Sequence, residues 1–131
     1  MKRKILLVDD DRVTLTMLEM ILSRHKYQVF SAKDGSEGLE LAIKEHPDVV
    51  ISDMLIPKIH GLDLCKKIKQ DPDLNQTKII MMTAVYKGVS FKSEVKECGA
   101  DHFIEKPIDT KELLAVLDRL FGNSSREDIS K

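Results

Sequence analysis

The chain has no tryptophan, only two cysteines, and an aromatic content of 5%. Cys65 and Cys98 stand alone, without a Cys-x-x-Cys spacing, which excludes a disulfide framework and a thiolate zinc site and leaves partly buried thiols in a reducing compartment. His25, His46, His60 and His102 share no metal-ligand spacing either. Long apolar runs are also missing. The stretch behind Met1, Lys2, Arg3 and Lys4 lasts four residues before three aspartates, so neither an export signal nor the roughly 20 apolar residues of a membrane span is present. No sign of charge dominates, with 21 basic side chains against 22 acidic ones. Attraction of nucleic acid or membrane by net charge is therefore excluded, and the cluster Lys66, Lys67 and Lys69 reads as the solvated face of a helix. A cytoplasmic protein without membrane insertion or direct nucleic-acid contact is expected.

What is present is a regular alternation of short apolar runs and helical patterns. A length of 131 residues suits one domain, which buries roughly two-thirds of its unfolded surface. Strands are expected at residues 5–8, 28–32, 49–53, 78–82 and 102–104, each followed by a segment with apolar residues at helical spacing. The helix starts are marked: Asp34 with Glu37 and Asp109 with Glu112 have the Asp-x-x-Glu spacing, and Asp11 fits a cap. Pro47, Asp71 with Pro72, and Gly99 mark helix ends, and Gly122 is the expected cap of the last one. Residues 86–98 carry few large apolar side chains and predict the least firmly anchored helix. The fold class is α/β, a doubly wound parallel sheet of five strands with five helices. Residues 1–122 form the domain, and 123–131 a polar, frayed tail with no output domain behind it.

Chemistry-bearing residues close four of these runs. Asp9 and Asp10 follow Ile5 to Val8, Asp53 closes the third strand, Thr83 the fourth, and Lys106 follows the fifth. In an open parallel sheet such positions meet in the crevice at the carboxyl ends of the strands. Three carboxylates, a hydroxyl and an ammonium there point to a divalent cation and a phosphoryl group, because magnesium takes oxygen ligands and a phosphoryl group needs donors and a cation besides its metal. At about 4 Å a like-charge pair costs roughly 4 kcal/mol at an effective dielectric near 20, so mutual repulsion is expected to raise at least one of the carboxylate pKa values.

These motifs resemble the receiver domain of two-component response regulators over residues 4 to 121. Lys4 to Asp11 is similar to the family's acidic-pair strand, DVVISDMLIPKIHG from Asp48 to Gly61 to its phosphoacceptor strand and loop, Met82-Thr83-Ala84 to its threonine motif, and Gly99 to Pro107 to its closing lysine-proline segment. The resemblance implies a flavodoxin-like fold of strand order 2-1-3-4-5. It implies that Asp53 accepts a phosphoryl group from a phosphohistidine donor. Asp10, Asp53 and the Leu55 backbone carbonyl would ligate Mg2+ (or Mn2+), with Asp9 acting mostly through water. Thr83 and Lys106 would contact the phosphoryl oxygens, and Lys106 would hold the unmodified Asp53. Thr83 and Phe103 would form a switch, with phenylalanine where the family commonly has tyrosine, and Lys106-Pro107 is a candidate cis peptide. Leu55 and Val85 occupy the variable positions flanking the phosphoryl site; both are apolar, so slow hydrolysis of the aspartyl phosphate is expected.

The partners implied are a sensor histidine kinase or histidine phosphotransfer protein, meeting the first helix near Val13, Leu15 and Met17, and a downstream effector. The face of the fourth helix, fifth strand and fifth helix would carry output or a phosphorylation-dependent dimer of an otherwise monomeric chain. A rival reading is a Mg-dependent phosphohydrolase with Asp9 as nucleophile and Asp11 as acid. Against it, Val13 stands where a hydroxyl residue is expected, the chain is short for a substrate cap, and Asp53 has no role. A flavodoxin-like phosphate binder is opposed by the charge of Asp9, Asp10 and Asp11. His60 reads as a solvated loop residue.

Overall fold

The apolar runs become strands because both of their faces are covered: Ile5, Leu6, Leu7 and Val8 in one, and Val49, Val50 and Ile51 in another, are all essentially inaccessible. The computed structural model describes residues 2–54, 56, 58–83 and 98–122. Within them the order is β1 (Lys4–Val8), α1 (Arg12–Arg24), β2 (Gln28–Ala32), α2 (Gly35–Glu45), β3 (Val49–Asp53), α3 (Gly61–Gln70), β4 (Lys78–Thr83), β5 (His102–Glu105) and α4 (Thr110–Leu120). The strands pair in parallel in the order β2-β1-β3-β4-β5. The predicted helix over residues 86–98 lies, up to Cys98, outside the described residues, as does the tail 123–131.

Alternation along each strand divides the core into two layers. Leu6, Val8, Val50, Ile79 and Met81 pack with Ala42 of α2 and with Leu64, Cys65 and Ile68 of α3. Ile5, Leu7, Val49, Ile51, Ile80 and Met82 pack with Leu15, Leu18 and Leu22 of α1 and with Leu113, Val116 and Leu117 of α4. Leu15 thus belongs to the core, and Val13, Met17 and Met20 are the more exposed large apolar side chains of α1.

Carboxylates start three of the helices as their positions predict. Asp11 accepts from the Val13 N–H, Asp34 from Glu37, and Asp109 from Lys111 and Glu112. Glu37 returns a bond to the chain before α2, accepting from the Lys33 N–H at 2.9 Å. The lysine cluster on α3 is not uniformly solvated. Lys66 and Lys67 are exposed, whereas Lys69 folds back to donate to the Thr77 carbonyl at 2.7 Å and to pair with Asp101 at 3.2 Å.

The loop between β3 and α3 is pressed against the N-terminus of α2. A Cβ on Gly35 would lie 2.1 Å from the Ile59 carbonyl oxygen and 2.6 Å from the Ile59 Cβ. Lys58 in the same loop reaches Asp34 at 3.5 Å. Gly35→Ala therefore has to lift the loop, and should lower unfolding stability by about 1 to 3 kcal/mol, the usual range for overpacking. The check is the urea midpoint at constant m-value; a loss under about 0.5 kcal/mol would mean that the loop yields without resistance.

Candidate functional site

Sheet register assembles the site. β1 pairs Val8 with Ser52 of β3, so Asp9 and Asp53 fall at the same level. β3 pairs Asp53 with Met82, which sets Thr83 one step beyond, and β4 pairs Thr83 with Glu105, which places Lys106 just past the end of β5. The Lys106 N–H donates to the Thr83 carbonyl at 2.7 Å and the Met54 N–H to the Met82 carbonyl at 2.9 Å, continuing the ladder at the crevice.

Asp9, Asp10 and Asp53 offer carboxylate oxygens that all lie within 4.8 Å of one another. Their exposure is graded: Asp9 is fully buried, Asp53 intermediate and Asp10 exposed. The Lys106 ammonium lies between two of them, donating to Asp9 Oδ2 at 2.8 Å and to Asp53 Oδ2 at 3.2 Å. The second Asp9 oxygen accepts the Asp11 N–H at 2.9 Å. Both Asp9 oxygens are therefore engaged by the protein, while Asp10 lies open to solvent. A hard divalent cation suits this all-oxygen set, and one ammonium leaves the three carboxylates with excess negative charge. The three carboxylates are close enough to share one such ion.

Burial, not repulsion, dominates the Asp9 titration. Desolvation pushes its carboxyl above the ordinary 3.8; the Lys106 hydrogen bond, the Asp11 N–H and the Lys106 charge pull it down, and repulsion from Asp53 is the smallest contribution. The repulsion expected from the sequence acts in the expected direction, but burial is the larger cause. Lys106 is lowered by burial, but the Asp9 hydrogen bond and the Asp53 and Asp9 charges outweigh that and hold it above 10.5.

Thr83 is buried at the end of β4, and Phe103 is half-buried on β5, packed against the α2–α3 layer. The Lys106–Pro107 bond is cis, as expected. Leu55 and Val85 lie outside the described residues. Asp11 stands apart from the cluster: its carboxylate accepts from the Val13 N–H and from the Thr14 hydroxyl. His60 is exposed at the start of α3 and makes no side-chain capping bond. The pairing of Lys106 with Asp9 and the clamp of α2 on the β3–α3 loop were not read from the sequence. The successive registers of β1 on β3, β3 on β4 and β4 on β5 underlie the first, and Gly35 was the signal for the second.

The receiver domain model of response regulators matches residues 5–118. A probable transcriptional regulator ycf27 of Guillardia theta is 42% identical over 129 residues, covering 98% of this chain and 49% of that protein. The response regulator ArlR of Staphylococcus aureus is 35% identical over 127 residues, covering 96% and 56%. The chain spans about half the length of the curated relatives it matches. Among solved structures, the chemotaxis response regulator CheY4 of Vibrio cholerae aligns at a TM-score of 0.85 with 32% identity, covering 92% of this chain and 99% of that one. A CheY-like receiver domain protein of Methanospirillum hungatei aligns at 0.85 with 28% identity, covering 96% and 99%. The chain belongs to the receiver domain family of response regulators.

The raised Asp9 carboxyl has a signed consequence. A carboxylate whose folded pKa exceeds its unfolded value contributes stability that is complete below the unfolded value, near 3.8, and is lost as pH rises through the folded value. In Mg2+-free buffer the Asp9 side-chain carbon should titrate in NMR with a midpoint above 3.8, and added Mg2+ should move that midpoint down. A metal-free midpoint at or below 3.8 would show that Lys106 outweighs burial.

Proposed function

We propose that Asp53 of this receiver domain accepts a phosphoryl group from the phosphohistidine of a sensor histidine kinase or a histidine phosphotransfer protein. The observation that carries the reading is one ammonium held between Asp9 and Asp53 beside an open Asp10, in a chain of the phosphoacceptor family. An Asp53 carboxylate oxygen attacks phosphorus, the P–N bond to the donor imidazole breaks, and an acyl phosphate forms. Asp10, Asp53 and the Leu55 carbonyl would hold Mg2+ (or Mn2+), with Asp9 engaged through water, and the ion's chemistry there is to neutralise charge on the phosphoryl oxygens.

Lys106 already sits 3.2 Å from Asp53, placed to donate to a phosphoryl oxygen once that carboxylate is esterified. Thr83 donates to another oxygen, and its inward movement couples sterically to Phe103, which lacks a hydroxyl for an outward hydrogen bond. Catalysis is confined to the domain's own phosphorylation and dephosphorylation. The hydrolase reading loses its acid, because the Asp11 carboxylate is committed to capping α1.

The donor docks on the exposed face of α1, where Val13, Met17 and Met20 are accessible beside the acidic crevice. A downstream effector receives the signal by protein contact in the cytoplasm. Among the described residues no helix is long and apolar enough to cross a membrane.

Two measurements test this. With Mg2+ and a small acyl phosphate, the wild-type chain should take up label and Asp53→Asn should take up none; Val13→Ala with Met17→Ala should label normally from the small donor but at least several-fold more slowly from a phosphorylated kinase. Label retained in Asp53→Asn would sink the acceptor assignment. For lifetime, Leu55→Asn with Val85→Glu should shorten the half-life of the aspartyl phosphate about tenfold, worth about 1.4 kcal/mol of barrier. An unchanged or longer half-life would remove these two residues as rate-setting positions.

A further inference from the structure

Cys65 and Cys98 are 33 positions apart, yet the fold brings them together. Cys65 lies on the inner face of α3 and Cys98 in the turn that leads to β5, both at most 2% exposed. The Cys65 thiol donates to the Cys98 carbonyl at 3.3 Å, and the two side chains interact directly. Phosphoryl transfer uses neither.

Surrounding contacts hold the two sulfurs in register. Lys69, one turn along α3 from Cys65, pairs with Asp101, three residues beyond Cys98, at 3.2 Å. Asp101 is itself fixed to β4: its N–H donates to the Ile79 carbonyl and its carboxylate accepts the Ile79 N–H, each at 2.8 Å. The Lys69 stem lies over Gly99, where a Cβ would come within 3.1 Å of it. Helix and turn are thus pinned just beyond the thiols, which keeps the local concentration of each sulfur about the other high.

The pair is chemically unequal. Interaction with the Cys65 side chain and the Ala100 backbone, against the opposing effect of burial, brings the Cys98 pKa down to about 7. Cys65, as the donor and by burial, is raised above the ordinary thiol range. Cys98 is the readier of the two to ionise, while the Cys65 thiol uses its proton on the Cys98 carbonyl, the order of an attacking and a resolving cysteine.

We propose that Cys65 and Cys98 form a redox-active dithiol that hydrogen peroxide converts into an intramolecular disulfide between α3 and the turn before β5. The Cys98 thiolate attacks one peroxide oxygen, the O–O bond breaks, and the departing hydroxide takes a proton to leave as water. The Cys65 sulfur then attacks the Cys98 sulfenic acid; the S–S bond forms, the S–O bond breaks and a second water leaves. Two thiols lose two electrons and one peroxide becomes two waters, so the step balances. Burial excludes bulky thiols and alkylating reagents from the pair but admits an oxidant scarcely larger than water.

The test uses the full chain, folded and reduced, treated with hydrogen peroxide, then denatured, alkylated and mapped by mass spectrometry. The expected result is the loss of two hydrogen atoms per chain and a peptide pair linking Cys65 to Cys98, reversed by dithiothreitol. Cys65→Ser should hold Cys98 as a sulfenic acid that dimedone captures when the chain is denatured in its presence, and Cys98→Ser should leave Cys65 reduced. The proposal is overturned if the wild-type chain shows no Cys65–Cys98 link at peroxide levels that oxidise its methionines, or if the link forms only in urea. The wild-type result decides the matter even where a variant fails to fold, and it is independent of whether Asp53 accepts a phosphoryl group.

Discussion

A single ammonium, that of Lys106, holds the acidic end of this sheet together. Asp9 is fully buried and Asp53 largely so, and two carboxylates that close in a partly desolvated crevice repel strongly. Lys106 reaches both, at 2.8 and 3.2 Å, and so stabilises in one contact the ends of β1, β3 and β5. The arrangement requires that β5 stop where it does, since Lys106 follows it directly, and that β1, β3 and β4 hold their mutual register to the residue. Slipping any strand by one position would turn its core side chains to the opposite layer. The packing of the two layers and the electrostatics of the crevice therefore depend on the same alignment.

Much of this was legible in the sequence. β2 and β3 fall on the expected residues and β1, β4 and β5 within one residue of them, because continuous apolar runs bounded by charge leave little choice of where a buried strand begins and ends. Asp11, Asp34 and Asp109 cap helices as their positions predict, since the capping bond is local and needs only a carboxylate two or three residues before a helical N–H. What could not be read was long-range. Leu15 sits at a helical position next to Val13 and Met17 and looks equally available, yet it points into the β1–β3–β4 face. Lys69 belongs to a run of lysines, and only the folded chain brings Thr77 and Asp101 to it. Local patterns reveal what local bonds decide; the sharing of Lys106 between two strand ends depends on a separation of 97 residues.

α3 connects the crevice to the rest of the molecule. Its first residue, Gly61, closes the loop after Asp53 by donating its N–H to the Met54 carbonyl at 3.0 Å, and a Cβ there would lie 2.3 Å from the Asp53 carbonyl oxygen. The helix therefore begins in contact with the end of β3, a closeness that only glycine allows. Its middle carries Cys65 against Cys98, and its last turn carries Lys69 against Asp101. Since Asp101 is bound to β4 and leads directly into β5, the same rigid helix touches the loop behind Asp53 at one end and the root of the Lys106 strand at the other.

That geometry would place the proposed phosphoryl chemistry and the proposed dithiol on one mechanical element without making them one site. The proposed phosphorylation of Asp53 would alter charge near the start of α3, and a bond from Cys65 to Cys98 would fix its middle to the turn before β5, the strand that leads to Lys106. Each would act on the distance between Lys106 and Asp53 only by moving α3 against β5, because packed helices and strands move as bodies rather than bend. Coupling between them needs no further contact: it requires only that α3 have more than one position relative to β5, and that each modification favour one of those positions by a different amount.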